Sequence, residues 1–178
     1  MHGFGKMSWQ EHDGEKCVYK GQMLANVIHG DGELSKSNGD FYKGEFQNGL
    51  FSGQGLYLWK NSKFKYTGQF RNGLFHGQGV LHNQSGVYEG DFKKGMMTGK
   101  GLMDFFNGDK YTGEFYNSQI TGYGCYITYD STKLIGYFDD GVCNKHGKKI
   151  YPDGTTYLGE FKKDIEHGKG VLTMKSGR

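Results

Sequence analysis

The sequence has one proline, three cysteines and no long apolar run, and these shortages narrow the class of protein. The cysteines, Cys17, Cys125 and Cys143, are odd in number and far apart, which is typical of reduced thiols in the cytosol rather than of a disulfide framework. No segment approaches the ~18 consecutive apolar residues that cross a bilayer, and the N-terminal residues lack the pattern of a secretory signal. We therefore expect a cytoplasmic protein.

The sequence also lacks a large excess of either positive or negative charge. The chain has 22 Lys and Arg against 19 Asp and Glu, a net charge of +3, which indicates neither a nucleic-acid footprint nor a polybasic membrane arm. Although 32 residues are glycine, no Gly-x-y triplet persists, and the charge is too small to hold the chain unfolded. With 13 tyrosines and 13 phenylalanines, we expect an ordered protein whose core is aromatic, without a nucleic-acid partner.

The glycines and aromatics belong to an internal repeat of about 23 residues. Residues 42–55 read YKGEFQNGLFSGQG, and residues 66–79 read YTGQFRNGLFHGQG. Seven units begin at Tyr19, Tyr42, Tyr66, Tyr88, Tyr111, Leu134 and Tyr157. Two residues later each has a motif glycine: Gly21, Gly44, Gly68, Gly90, Gly113, Gly136 and Gly159. Two residues after that come Met23, Phe46, Phe70, Phe92, Phe115, Phe138 and Phe161.

Each unit predicts a β-hairpin. A turn follows at Gly49, Gly73, Gly95 and Gly141, or at Asn26, Ser118 and Asp164, and the second half then starts with a Gly-x-Gly pair in most units. Because side chains alternate along a strand, Tyr42, Gly44 and Phe46 share one face, and Lys43 and Glu45 share a polar one.

One hairpin cannot enclose a core, so each must pack on the next. A strand glycine leaves a hollow in which a Tyr or Phe ring of the adjoining copy can lie on bare backbone, which explains why ring and glycine recur together. We expect an all-β fold: an elongated single-layer antiparallel sheet of about fifteen strands, trough-like, with few or no helices.

The pattern Tyr-x-Gly-Glu/Gln/Asp-Phe-x-x-Gly-x-x-x-Gly-x-Gly resembles the MORN (membrane occupation and recognition nexus) repeat over essentially the whole chain. We interpret residues 1–178 as a single array with a partial unit at 1–18 and a last unit that runs to the chain end, where another Tyr-x-Gly would start. Exposed strand edges pair readily, so we expect a longer chain or a complex to cover the ends.

The sixth unit departs from the pattern. Leu134 replaces the tyrosine, an extra residue precedes His146-Gly147, and Lys149 stands where the second glycine belongs. We expect a bulge or kink near residues 142–149.

The resemblance implies stacked hairpins without catalytic activity of their own. Members of the family are cytoskeletal and ciliary scaffolds, membrane-junction proteins, or appendages of lipid kinases and a protein methyltransferase, and phosphoinositide binding has been proposed for them. We therefore expect no enzyme and a cytoskeletal or ciliary (flagellar) location.

The residues themselves predict neither a catalytic residue, nor a metal, nor a cofactor. Five histidines precede a motif glycine (His2, His29, His76, His146 and His167), but equivalent positions lie roughly 9.6 Å apart across two strand spacings, too far for one zinc ion. The Gly-x-Gly pairs do not open a helix after a strand, as nucleotide-binding loops do. Neither Cys125 nor Cys143 has a histidine assigned beside it that could act as a base.

Partner binding through the aromatic face is the leading functional hypothesis. The candidate residues are Tyr42, Tyr66, Tyr88, Tyr111, Tyr57, Trp59 and Tyr126, which would hold a helix, an extended peptide or a second copy of the chain. One alternative is a phosphoinositide-directed membrane adaptor that uses Arg71, Lys93-Lys94 and Lys162-Lys163, for which the lipid contact would be weak because other units lack these cations. The other is the targeting region of a larger enzyme.

Overall fold

The computed structural model describes residues 3–60 and 63–175 and contains no helix in these ranges. The strands form one sheet in which strand order follows chain order, so the predicted all-β fold of consecutive hairpins is confirmed. They are β1 (Gly3–Gln10), β2 (Lys16–Leu24), β3 (Val27–Lys36), β4 (Phe41–Gln47), β5 (Leu50–Leu58), β6 (Lys65–Arg71), β7 (Leu74–His82), β8 (Gly86–Lys93), β9 (Met96–Phe105), β10 (Lys110–Tyr116), β11 (Gln119–Ile127), β12 (Lys133–Asp139), β13 (Val142–Ile150), β14 (Thr156–Lys162) and β15 (Ile165–Thr173).

The chain divides into two compact units at β8. The first unit comprises Met1–Gln84 with Phe92–Gly95, and the second comprises Ser85–Asp91 with Met96–Arg178. Within each compact unit, strands that are consecutive in the sequence pair antiparallel, as short hairpin connections require.

Motif glycines oppose one another across the strands of each unit. In the first unit the series runs Gly5, Gly21, Gly32, Gly44, Gly55, Gly68 and Gly79. In the second it runs Gly101, Gly113, Gly124, Gly136, Gly147, Gly159 and Gly170. These glycines define the ring face, which also carries Tyr42, Phe46 and their equivalents. The opposite side is called the second face.

The hairpin turns lie at the predicted positions. Asn48 and Gly49 have φ angles of 50° and 81°, which fit the two-residue turn that matches strand twist. The same pair of positive angles occurs at Ala25-Asn26 and Lys94-Gly95.

A bulge follows the turn in six of the hairpins. In the β4–β5 hairpin, Gly44 pairs with Gly55 but Glu45 pairs with Ser52, so Gly53 and Gln54 are extra residues on β5. Gly53 has a φ of 54°, a left-handed conformation that glycine adopts without strain. The same shift recurs in the β2–β3, β6–β7, β10–β11, β12–β13 and β14–β15 hairpins.

The sixth repeat, which begins at Leu134, corrects one prediction and explains another. It has no extra residue, because Gly147 pairs with Gly136 and Gly159 and therefore takes the place of the second motif glycine. Lys145 takes the place of the first, with a φ of 76°. The bulge expected at residues 142–149 is present, but it is a general feature of these hairpins rather than a local defect.

The second face of the second unit is less polar than predicted. Tyr123 and Tyr137 pair across β11 and β12 with ring centroids 5.4 Å apart, and Leu158 pairs with Val171 across β14 and β15. All four side chains are more than half exposed. The expectation of a polar second face is therefore wrong at these four positions.

One further property concerns membranes. No helix in the part of the chain that the structure describes has the length and apolar character needed to span one.

Candidate functional site

The motif tyrosines are buried at the centre of each hairpin. Tyr42 is 1% exposed, and Tyr66, Tyr88 and Tyr111 are fully buried. The hydroxyl group of Tyr42 donates to the carbonyl oxygens of Glu45 (2.8 Å) and Ser52 (3.3 Å). These bonds satisfy a polar group that would be costly to bury alone.

Each tyrosine ring lies on glycines of its own hairpin. A Cβ atom at Gly55 would come within 2.5 Å of the Tyr42 hydroxyl oxygen, and one at Gly44 within 2.6 Å. The predicted hollow is confirmed, but its location is corrected: Tyr42, Gly44 and Gly55 belong to one repeat rather than to adjoining copies. In the fourth repeat the hydroxyl of Tyr88 likewise donates to the carbonyl of Asp91 at 3.1 Å.

Adjoining repeats are joined by the motif phenylalanines. The ring of Phe70 meets the ring of Tyr42 edge-on, with centroids 5.0 Å apart and an interplanar angle of 84°. The same contact joins Phe46 to Tyr19 and, in the second unit, Phe115 to Tyr88. Edge-on contacts of this kind stabilise beyond the area they bury.

This burial corrects part of the predicted binding surface. Tyr42, Tyr66, Tyr88 and Tyr111 are covered by glycine backbone and neighbouring rings, so they have no surface to offer a partner. Burial also raises the pKa of Tyr66, Tyr88 and Tyr111 to about 12, which keeps their hydroxyl groups protonated as donors.

A groove lined by aromatic side chains lies in the first unit. It has a volume of about 310 Å³ and opens on the ring face of β5–β7. Its lining consists of Phe51, Tyr57, Trp59, Phe70, Gly73, Leu74, Phe75 and Gly95. Phe51 and Phe75 are half-buried because they stack on Tyr42 and Tyr66, each with centroids 3.9 Å apart. The structure thus brings together two of the predicted site residues, Tyr57 and Trp59, and adds Phe51 and Phe75.

Trp59 stands at one end of the groove. Its ring centroid is 4.8 Å from that of Tyr57 and 5.9 Å from that of Phe75. Its backbone N–H donates to the carbonyl of Phe64 at 3.2 Å, but its indole N–H has no hydrogen-bond acceptor among the described residues. The groove therefore combines apolar aromatic side chains with an N–H donor that has no acceptor among the described residues.

A carboxylate holds Tyr57 in place. Its hydroxyl donates to Asp40 Oδ2 at 2.9 Å, while the backbone N–H of Lys60 donates to Oδ1 of the same side chain at 3.0 Å. Burial, and then this bond to Asp40, raises the pKa of Tyr57. The contact joins Asp40, in the turn just before the repeat that starts at Tyr42, to Tyr57 near the end of that repeat. Sequence reasoning missed it.

An equivalent latch exists in the second unit. Tyr126 donates to Asp109 Oδ2 at 2.7 Å, and the backbone N–H of Tyr129 donates to Oδ1 at 2.8 Å. The available signal was the tripeptide Asn-Gly-Asp, which occurs at residues 38–40 and 107–109. Tyr126 lies near Phe105, at 5.8 Å, but the positions equivalent to Phe51 hold Ile120 and Cys143. The structure therefore places Tyr126 apart from the groove and in less aromatic surroundings.

Candidate chemistry at the cysteines and histidines is limited. All three thiols are free, and burial raises the pKa of Cys17 and Cys143 to about 11, which keeps both as thiols at neutral pH. Among residues 3–60 and 63–175, no group of three His, Cys, Asp or Glu could hold a metal ion. Of the five predicted slot histidines, His2 lies outside these ranges, and His146 and His167 are exposed.

Comparison with known proteins gives a family. The model of the MORN repeat matches eight segments: residues 1–14, 19–41, 42–63, 66–87, 88–110, 111–133, 135–156 and 157–177. No curated protein matches the sequence. Among solved structures, the chain is similar to the TCP domain of SAS-4 (dCPAP) from Drosophila melanogaster, solved in complex with a proline-rich motif of Ana2 (dSTIL). The two are 13% identical with a TM-score of 0.48, and the match covers 88% of this chain and 90% of the other. The eight repeat matches extend over nearly the full sequence, and the chain therefore belongs to the MORN repeat family.

Proposed function

We propose that this protein is a non-catalytic scaffold that binds a segment of a partner protein in the aromatic groove of its first unit. The observation that carries the proposal is the cluster of Phe51, Tyr57, Trp59 and Phe75 around a cavity of about 310 Å³. A repeat protein with such a surface supplies binding rather than chemistry, and the family and fold are of a repeat and binding kind.

The chemistry of the groove fits a peptide. Tyr, Trp and Phe are the side chains that most often dominate the binding energy of protein interfaces, since they bury a large area and lose little rotational freedom. The groove presents these rings half-buried, so they are already ordered before a partner arrives. The indole N–H of Trp59 adds a donor that suits a backbone carbonyl of an extended or helical segment.

We further propose that the partner belongs to a cytoskeletal or ciliary assembly in the cytoplasm. Support comes from the resemblance of the repeats to those of scaffold proteins in such assemblies and from three free cysteines, which are typical of a reducing compartment. Co-localisation of a tagged chain with microtubule markers in the native cell tests this setting, and a secreted or nuclear signal would contradict it.

The matched pair Trp59→Ala and Leu58→Ala tests the binding site. Leu58 is the last residue of β5 and Trp59 follows it directly; their side chains lie on opposite faces, and both are partly exposed. Truncating an aromatic anchor at an interface costs about 2–4 kcal/mol, so Trp59→Ala should weaken binding by at least about 30-fold.

Quantitative affinity purification from the native cell gives the readout. A partner bound through the groove is lost with Trp59→Ala and retained with Leu58→Ala, while circular dichroism shows the same β signal for both. Equal recovery of every partner by the two variants would show that the groove is not the binding site.

A further inference from the structure

The segment that forms β5, β6 and β7 carries charge of one sign. From Phe46 to Gln84 the sequence contains no Asp or Glu, but it contains Lys60, Lys63, Lys65 and Arg71. The segment Phe92–Gly95, which belongs to the same unit, adds Lys93 and Lys94. Carboxylates of the first unit lie earlier in the chain, at Glu45 and before it.

Cations lie at both ends of the groove. At one end, Lys60 directly follows Trp59 in the sequence. At the other end, Lys94 directly precedes Gly95 in the β8–β9 turn. Lys60 and Lys94 are both exposed.

No ion pair among the described residues involves these cations. Within the described ranges of the first unit, the ion pairs are Lys36 with Glu11 and Lys43 with Glu33. Asp40, the carboxylate behind Tyr57, already accepts hydrogen bonds from the Tyr57 hydroxyl and the Lys60 backbone. Glu45 accepts the backbone N–H of Gln54 at 2.8 Å on the second face.

We propose that the segment that fills this groove is acidic: an apolar or aromatic side chain seated on the rings between Trp59 and Phe75, with carboxylates on either side of it. The inference rests on the proposed function and names the chemistry of its partner. Opposite charges at the rim accelerate the encounter of two proteins and exclude basic competitors more than they add affinity. Such steering weakens as salt shortens the range of the attraction.

The recessed position of the rings favours a peptide over a membrane. A bilayer surface meets mainly the exposed rim, where Leu74 and Lys94 lie, whereas a peptide side chain can enter the groove and reach Phe51 and Trp59. Dependence on Trp59 therefore distinguishes the two occupants.

The test is a selection from a random phage-displayed peptide library on the full chain, with peptides that also bind Trp59→Ala discarded. We expect the remaining peptides to be rich in Asp and Glu around an apolar or aromatic residue. Their affinity, measured with synthetic copies, should fall as salt is raised. Replacing two rim cations, Lys60→Glu with Lys94→Glu, should weaken these peptides by about tenfold, because each exposed ion pair contributes a factor of up to about 5 and the new charges also repel.

A charge-matched variant on the other side of the sheet provides the control. Lys20→Glu with Lys65→Glu changes the net charge equally but lies on the second face, so it should alter affinity less than about twofold. A similar loss in both variants would show that only net charge matters and would overturn the inference.

The remaining outcomes separate the two proposals. Peptides that depend on Trp59 but are neutral or basic would overturn the acidic partner and leave the groove as a binding site. No peptide dependent on Trp59 would contradict the groove itself. Flotation on phosphatidylserine vesicles that is lost with Lys60→Glu and Lys94→Glu but unchanged by Trp59→Ala would assign the cations to a lipid surface and overturn the acidic peptide.

Discussion

Replacing Gly55 with alanine tests the packing on which the whole array depends. The added methyl group would lie 2.5 Å from the hydroxyl oxygen and 2.7 Å from the Cε2 atom of Tyr42, distances that real Cβ atoms do not show. The backbone of Gly44 lies on the other side, so the tyrosine ring must move. Gly55 itself has no left-handed φ, so alanine is not strained by its backbone conformation.

The magnitude follows from three terms. Overpacking a core costs about 1–3 kcal/mol, and a displaced ring loses its hydroxyl bonds to Glu45 and Ser52, a further ~1 kcal/mol each. Alanine recovers about 0.4–1 kcal/mol because it restricts the unfolded chain. We expect Gly55→Ala to lower the free energy of unfolding by about 2–4 kcal/mol.

Urea denaturation followed by circular dichroism measures this change, with two companions. Gly49→Ala lies in the turn of the same hairpin, where a Cβ would meet nothing within 4 Å but φ is 81°. It should cost only about 1 kcal/mol, from the left-handed conformation. Adding Tyr42→Leu to Gly55→Ala removes the ring that clashes, so the double variant should be more stable than the sum of the two single losses predicts.

A Gly55→Ala protein within about 0.5 kcal/mol of the wild type would refute the reasoning. Strict additivity with Tyr42→Leu would refute it as well, because a direct clash requires coupling.

Two further predictions concern the backbone and pH. Lys145→Gly should raise the free energy of unfolding by about 0.5–1 kcal/mol in the same urea assay, because Lys145 has a φ of 76° where other hairpins have glycine; a loss of stability would contradict this. The raised pKa of about 12 for Tyr66, Tyr88 and Tyr111, against about 10 in an unfolded chain, favours the folded state fully below pH 10. We expect stability to decline from pH 10 through pH 12, with tyrosinate absorbance and the β signal changing together; ionisation of these tyrosines at pH 10 in a folded protein would contradict their burial.

The hairpin pattern was predictable because it is local. Alternation along one strand placed Tyr42, Gly44 and Phe46 on one face, and the turn at Asn48-Gly49 follows from residues that tolerate positive φ. The bulge was not predictable at its position. The sequence contains the glycine that the bulge uses, Gly53, but alternation along a strand does not reveal that Gly53 and Gln54 leave the register.

The sixth repeat shows how the spacing of residues in the sequence can mislead. Lys149 appeared to replace a glycine and an extra residue appeared to precede His146, because the comparison aligned Gly147 with the wrong glycine of the pair. Cross-strand pairing with Gly136 and Gly159 gives the correct register. It also reveals that lysine tolerates the left-handed position at residue 145.

By itself the sequence determined the repeat, the strand periodicity and the requirement for glycine beneath each ring, because these depend on neighbours within one hairpin. Only the tertiary structure decided which rings remain accessible. Tyr42 and Tyr57 are both ring-face tyrosines, yet the first is covered by its glycines and by Phe70 of the next repeat, while the second is latched to Asp40 at the margin of a groove. Accessibility depends on the residues that adjoining repeats bring to the same place, and a single repeat does not specify those.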